Sequence, residues 1–174
     1  MANETLTENI VYDHFKNDPL FSDKIIKTIL ERQQSSNPKI DELLKGQSKG
    51  QGKGSGRPDF IITFPSNSDY IIAIECKADI SKHESHNRVD FKNIKDYAVD
   101  GVLHYAKALS KGFNVLAIAV SGETLENFSI SHFLWKKEAE SYVKKIDNQL
   151  LSINDYLKMF ENEHFSDNLL HINI

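Results

Sequence analysis

The segment 57–77 constrains this chain more than any other stretch. Arg57-Pro58-Asp59-Phe60-Ile61-Ile62-Thr63-Phe64 and Tyr70-Ile71-Ile72-Ala73-Ile74-Glu75-Cys76-Lys77 are apolar and β-branched, and Pro65-Ser66-Asn67-Ser68-Asp69 between them has turn composition. Folded about Asn67, the two runs make a β-hairpin in which Asp59 lies opposite Glu75. Carboxylates placed directly across a ladder repel, so the arrangement calls for a cation. Side chains alternate along a strand, so Glu75 and Lys77 share a face at about 7 Å. Asp59 joins that face, while Cys76 points the other way with Ile72 and Ile74.

Two carboxylates and an ammonium on one patch suit phosphodiester hydrolysis. Hard oxygen donors match Mg²⁺, which also takes water and phosphate oxygens and can activate a bound water. Asp59 and Glu75 are the candidate ligands, the backbone carbonyl of Cys76 an additional one, and Lys77 stands beside the attacking water or the phosphate. The competing reading is a structural ion-pair network at a sheet end.

The remaining sequence sets the frame. With 174 residues and 40% hydrophobic content the chain can build one domain with a real core. A net charge of −4 excludes a general nucleic-acid sponge, so contact with a polyanion must come from a local basic patch or from metal. Cys76 is the one cysteine, which excludes an internal disulfide and fits a reducing compartment, the cytoplasm. No apolar run is long enough to span a bilayer.

Periodicity predicts helices over 5–15, with Leu6, Ile10 and Val11 toward the core, and over 21–34, with Ile25, Ile26, Ile29 and Leu30 on one face. A helical turn is expected at 40–44, a long polar loop at 78–95 and a helix over 96–110. A buried strand is expected at 114–120, an alternating strand at 129–136 near a sheet edge, a short strand at 143–146 and a helix at 152–161. The order implies an α/β sandwich around a central mixed sheet flanked by helices.

Residues 46–56 form a flexible Gly-rich loop, and Lys45, Lys49, Lys53 and Arg57 give it a basic character without an acid. It is no Walker motif. It suits a DNA backbone or a solvated linker, and leads straight into Asp59. After the second strand, Lys82, His83 and Arg88 can reach phosphates; His83-x-x-His86 lacks the further ligands of a zinc site. Cys76 reads as a small buried hydrophobe rather than a nucleophile, and Trp135 as core.

Pro58-Asp59, fifteen residues, then Glu75-Cys76-Lys77 resembles the PD-(D/E)XK nuclease superfamily. The fuller Gly56-Arg57-Pro58-Asp59-Phe60 and Glu75-Cys76-Lys77-Ala78-Asp79, with the stretches 97–106 and 117–122, is similar to the N-terminal endonuclease region of bacterial restriction–modification proteins joined to an adenine-DNA methyltransferase. The likeness spans roughly residues 8–122. It implies a restriction-endonuclease-like sandwich and Mg²⁺-dependent cleavage of double-stranded DNA, with Mn²⁺ as a substitute. It carries Asp59 and Glu75 over as metal ligands and Lys77 as the catalytic lysine. Glu8 matches an acid that many members add from the first helix; it also completes a capping box with Thr5. Some relatives have Gln-x-x-x-Tyr on the following helix; here Gly101 stands at the Gln position, so Tyr105 reads as core. The resemblance implies a single nuclease domain over 1–174, a fragment of a longer protein, with methyltransferase and specificity domains in the same chain or a partner subunit. The other readings are a catalytically unused DNA-binding or assembly module of this fold, and a repair or junction-type nuclease.

Overall fold

Alternating apolar residues along the central segments become a six-stranded sheet in the computed structural model of the chain. It describes residues 3–49, 54, 56–87, 91–145 and 148–172, and of 91 and 163–172 the backbone alone. The elements run α1 (Glu4–Lys16), β1 (Ile29–Arg32), α2 (Pro38–Leu44), β2 (Phe60–Thr63), β3 (Tyr70–Lys77), α3 (Phe91–Asp96), α4 (Ala98–Leu109), β4 (Asn114–Ser121), β5 (Ser129–Trp135), β6 (Val143–Lys145) and α5 (Ile153–Ile172). Spatial strand order follows chain order. Only β3 and β4 pair in parallel, and α3 and α4 make the crossover between them. The chain is thus an α/β sandwich with a mixed, mostly antiparallel sheet, as the sequence implies.

Strand alternation divides the core into two layers. Ile61, Ile71, Ala73, Ala117 and Ala119 face α2 and α4, where Val99, Val102 and Leu109 pack. Small residues on this side let α4 lie close to the sheet. Ile62, Ile72, Ile74, Cys76, Leu116 and Ile118 face Val11 and Phe15 of α1 and Tyr156 and Phe160 of α5. Among the described residues, no helix is long and apolar enough to cross a membrane.

Four expectations are corrected. No helix forms over 21–34. Asp23 accepts hydrogen bonds from the amides of Ile25 (2.8 Å) and Ile26 (2.9 Å), Lys27 takes a positive φ of 53°, and Ile29–Arg32 then pairs with β2. The helical spacing of its isoleucines is coincidental, since Ile25 is 81% exposed. In α1, Leu6 is 46% exposed, and Thr7, Val11 and Phe15 form the buried face instead. β5 is not an edge strand but lies between β4 and β6. Its polar residues are accommodated inside: His132 Nε2 meets the Tyr156 hydroxyl at 2.9 Å and Ser131 Oγ meets His83. The segment expected as a long loop after β3 carries a short 3₁₀ turn at Ile80–Lys82 and then α3.

Candidate active site

The hairpin has the register expected from the sequence. Phe60 pairs with Ile74, so the next step sets Asp59 opposite Glu75, just beyond the end of β2. Asp59 Oδ2 accepts the Cys76 amide at 2.7 Å, which turns that carboxylate toward the end of β3. In extended backbone the N–H and C=O of one residue leave on the same side, so the Cys76 carbonyl points to the Asp59 side as well. The Cys76 thiol is buried in the opposite apolar layer, with its pKa driven up by burial.

Both acids are held in low dielectric. Glu75 is 1% exposed and Asp59 7%. Burial raises the Glu75 pKa to about 7, helped by the Asp59 charge and opposed by Lys49 and Lys77. Burial raises Asp59 too, against the hydrogen bond from the Cys76 amide. α4 crosses beside Glu75 at a glycine. A Cβ on Gly101 would lie 3.2 Å from Glu75 Cγ and 3.0 Å from the Ile94 carbonyl, so any larger residue would have to push its neighbours back by a few tenths of an ångström.

α1 brings further carboxylates. Asn3, not Thr5, is the N-cap, its side chain accepting the Thr5 amide at 3.1 Å. The expected capping box therefore does not form, and Glu8 turns to the sheet on the same face as Val11 and Phe15. Thr7 Oγ1 donates to the Gly122 carbonyl at 2.6 Å, which pins the helix over the strand ends. Glu8 lies 3.9 Å from Arg32, and its pKa is raised by burial and then by Asp59. Glu4, Glu8 and Asp59 each offer a carboxylate oxygen, and the three lie within 4.8 Å of one another. Glu4 is the residue sequence reasoning missed. Its signal is the i, i+4 spacing to Glu8, hidden when the helix is started at Thr5.

Two ammonium groups face these acids. Lys77 Nζ is 3.1 Å from Glu4 Oε1 and 4.0 Å from Glu75 Oε1. Burial would lower its pKa, but Glu75, Glu4 and Asp59 outweigh that and raise it. Lys49 Nζ contacts Glu75 Oε1 directly. Glu4, Lys49 and Lys77 open on a cleft of about 710 Å³ lined also by Lys82, Lys95, Asp96 and Tyr105.

The other basic candidates are placed differently. Arg57 pairs with Asp41 of α2 at 2.7 Å, so its guanidinium is engaged within the fold. Lys82 lies 4.9 Å from the Tyr97 ring at the cleft. Lys53 and Arg88 fall outside the described residues. Tyr105 is buried as expected, yet its ring also lies beneath Lys49. His83 is not a solvated loop residue. Its Nδ1 meets Ser121 Oγ at 2.9 Å and its Nε2 meets Ser131 Oγ at 2.8 Å. Both ring nitrogens are thus used structurally, and burial lowers its pKa to about 4.

The donor set suits a hard divalent cation. It is made of carboxylate oxygens with a backbone carbonyl nearby, and Glu75 Oε2 is buried without a hydrogen-bond partner among the described residues. An orphaned carboxylate oxygen is costly in protein but is what a metal ligand requires.

No family model matches the chain, and no solved structure matches it significantly. The chain is 30% identical over 156 residues to the type II restriction enzyme and methyltransferase RM.BcgI of Heyndrickxia coagulans. That match takes in 80% of this chain but spans only 23% of the length of the curated relative.

Proposed function

We propose that this chain is a metal-dependent endodeoxyribonuclease domain of the PD-(D/E)XK type, acting on double-stranded DNA within a bacterial restriction–modification system. The observation that carries the reading is Glu75: a buried carboxylate with one oxygen unpartnered among the described residues, set opposite Asp59 and beside Lys77, which lines a lysine-bearing cleft. Likeness to a restriction enzyme and methyltransferase supports the biological setting. It also suggests methyltransferase and specificity segments in the same chain or a partner subunit.

Asp59 and Glu75 would hold Mg²⁺ or Mn²⁺, with Glu8, Glu4 and the Cys76 carbonyl as further oxygen donors. The ion, when bound, would supply a water of lowered pKa and neutralise phosphate charge. Lys77 stays an ammonium, because its pKa is raised. As an ammonium it can donate to a phosphate oxygen or the departing oxyanion. Lys82 and Lys95 line the cleft where the sugar–phosphate backbone would run, and supply sequence-independent attraction.

The test is cleavage of plasmid DNA in Mg²⁺ by the wild type, Asp59→Ala and Lys77→Ala, with circular dichroism to verify folding. Both variants should keep the fold and lose cutting by roughly a hundredfold or more, the scale of removing an electrostatic catalytic group. Cutting at wild-type rate by either folded variant would exclude this mechanism. Branched DNA as a second substrate separates a junction-type nuclease from a duplex cutter.

A further inference from the structure

A carboxylate as buried as that of Glu75 either keeps its proton or takes a cation in contact with it. Lys77 does not fill that role closely, because its ammonium sits nearer Glu4, at 3.1 Å against 4.0 Å to Glu75. The cation in contact is Lys49, whose ammonium donates to Glu75 Oε1. Lys49 does not come from the hairpin. It arrives from the basic loop, and several contacts deliver it. His104 Nε2 meets the Gln47 carbonyl at 3.0 Å, and the Ser48 amide donates to the Gly54 carbonyl at 3.2 Å. Gly56 passes so close that a Cβ there would stand 2.3 Å from the Gln47 carbonyl. The ammonium also lies 5.5 Å from the centre of the Tyr105 ring, within cation–π range.

The geometry points to a second role for this lysine: we propose that Lys49 is the built-in counter-cation of the metal-free site, holding Glu75 Oε1 until a divalent ion displaces it. The proposal rests on the reading of Asp59 and Glu75 as a metal centre. Glu75 Oε2 has no hydrogen-bond partner among the described residues, so an ion taken there would share one carboxylate with the Lys49 ammonium on Oε1, and two cations that close repel strongly in a buried site. Metal entry is therefore an exchange of cations. The lysine keeps two facing acids compatible with a folded hairpin before metal arrives, and it lowers the net affinity for the ion that replaces it. Glu4, Glu8 and Asp59 still converge within 4.8 Å while Glu75 is engaged by Lys49, so the acids of the site are divided in the metal-free protein.

The test needs no DNA. Mn²⁺ is titrated calorimetrically into the wild type, Lys49→Met, Lys49→Arg and Asp59→Ala, and thermal unfolding is followed with chelator and with Mn²⁺. Lys49→Met should bind Mn²⁺ about tenfold tighter or more, since losing a buried partner destabilises the metal-free form strongly. Its melting temperature in chelator should fall and its gain on Mn²⁺ addition should exceed that of the wild type. Lys49→Arg keeps the charge and should not tighten binding. Equal or weaker Mn²⁺ binding by Lys49→Met overturns the proposal. Should Met at this position prevent folding, Lys49→Gln provides the same comparison. Wild-type binding that Asp59→Ala abolishes establishes the metal centre independently, so a failure of the exchange idea is separable from a failure of the site itself. Absence of Mn²⁺ binding by both wild type and Lys49→Met overturns both.

Discussion

In the metal-free protein Glu75 should be a liability that grows with pH. Its carboxyl has an ordinary value of 4.5 and is raised to about 7 by burial and by Asp59. The folded state therefore holds a proton that the unfolded chain has released, and stability falls as pH rises from 4.5 through about 7. At ~1.4 kcal/mol per pH unit, the full displacement is worth about 3 kcal/mol. For a chain of this size that is a melting-temperature change of roughly 10 °C. His83 works in the opposite sense, since its pKa is lowered from 6.5 to about 4 and its contribution is lost as pH falls through that window. The raw pH profile of the wild type thus mixes these two with the raised carboxyls of Asp59 and Glu8. The comparison with Glu75→Gln separates them, because the other three are present in both proteins. Melting curves in chelator at pH 5 and pH 8 should show Glu75→Gln gaining about 3 kcal/mol on the wild type between the two values. A difference between the proteins that does not change with pH would refute the claim that burial and Asp59 outweigh the Lys49 and Lys77 charges at Glu75. Mg²⁺ at pH 8 should restore the wild type selectively, since binding to the ionised folded form adds stability.

Two further substitutions probe the frame of the site. Gly101→Ala puts a Cβ at 3.2 Å from Glu75 Cγ and 3.0 Å from a backbone carbonyl. It should cost about 1–3 kcal/mol in denaturant titrations and weaken Mn²⁺ binding measured by calorimetry, whereas unchanged metal affinity would mean that α4 does not set the carboxylate. Tyr156→Phe removes the hydroxyl that meets His132 Nε2 at 2.9 Å and accepts the Leu151 amide at 2.9 Å. It should cost about 1–3 kcal/mol on the face away from the cleft and leave metal binding as it is; loss of metal binding would show that the two core layers are coupled.

The hairpin was legible because strand alternation and turn composition are local. Phe60–Thr63 and Tyr70–Lys77 pair as their patterns require, and with them come the facing acids, Lys77 and the inward Cys76. The stretch 21–34 was not legible, because the same isoleucine spacing serves a helix or a turn followed by a strand. The choice is made by Asp23, by a left-handed Lys27 and by the edge of β2 waiting for a partner. The edge character expected of β5 fails for a related reason: Ser131 and His132 look solvent-facing until distant His83 and Tyr156 satisfy them. Glu4 was hidden by a helix boundary set one residue late, whereas the Lys49–Glu75 contact is beyond sequence reading, since it depends on how a remote segment docks. A helix starting one residue earlier exposes Glu4, and a loop pinched at Gln47 delivers Lys49.

The tie between Thr7 and the Gly122 carbonyl joins residues 115 positions apart in the chain, and the Asn3 amide bonds Glu123 beside it at 2.6 Å. Seen from the ribosome, the first helix is made early and its anchor late. Synthesis proceeds at about 5–20 residues per second, so Glu4 and Glu8 exist for seconds before the turn that fixes them is available. The hairpin acids can meet as soon as residue 77 has emerged, but the ties that pin α1 over the strand ends cannot form until Gly122 and Glu123, beyond β4, have been made. A nascent chain can therefore pin its acidic cluster in place only when most of its sheet has been made.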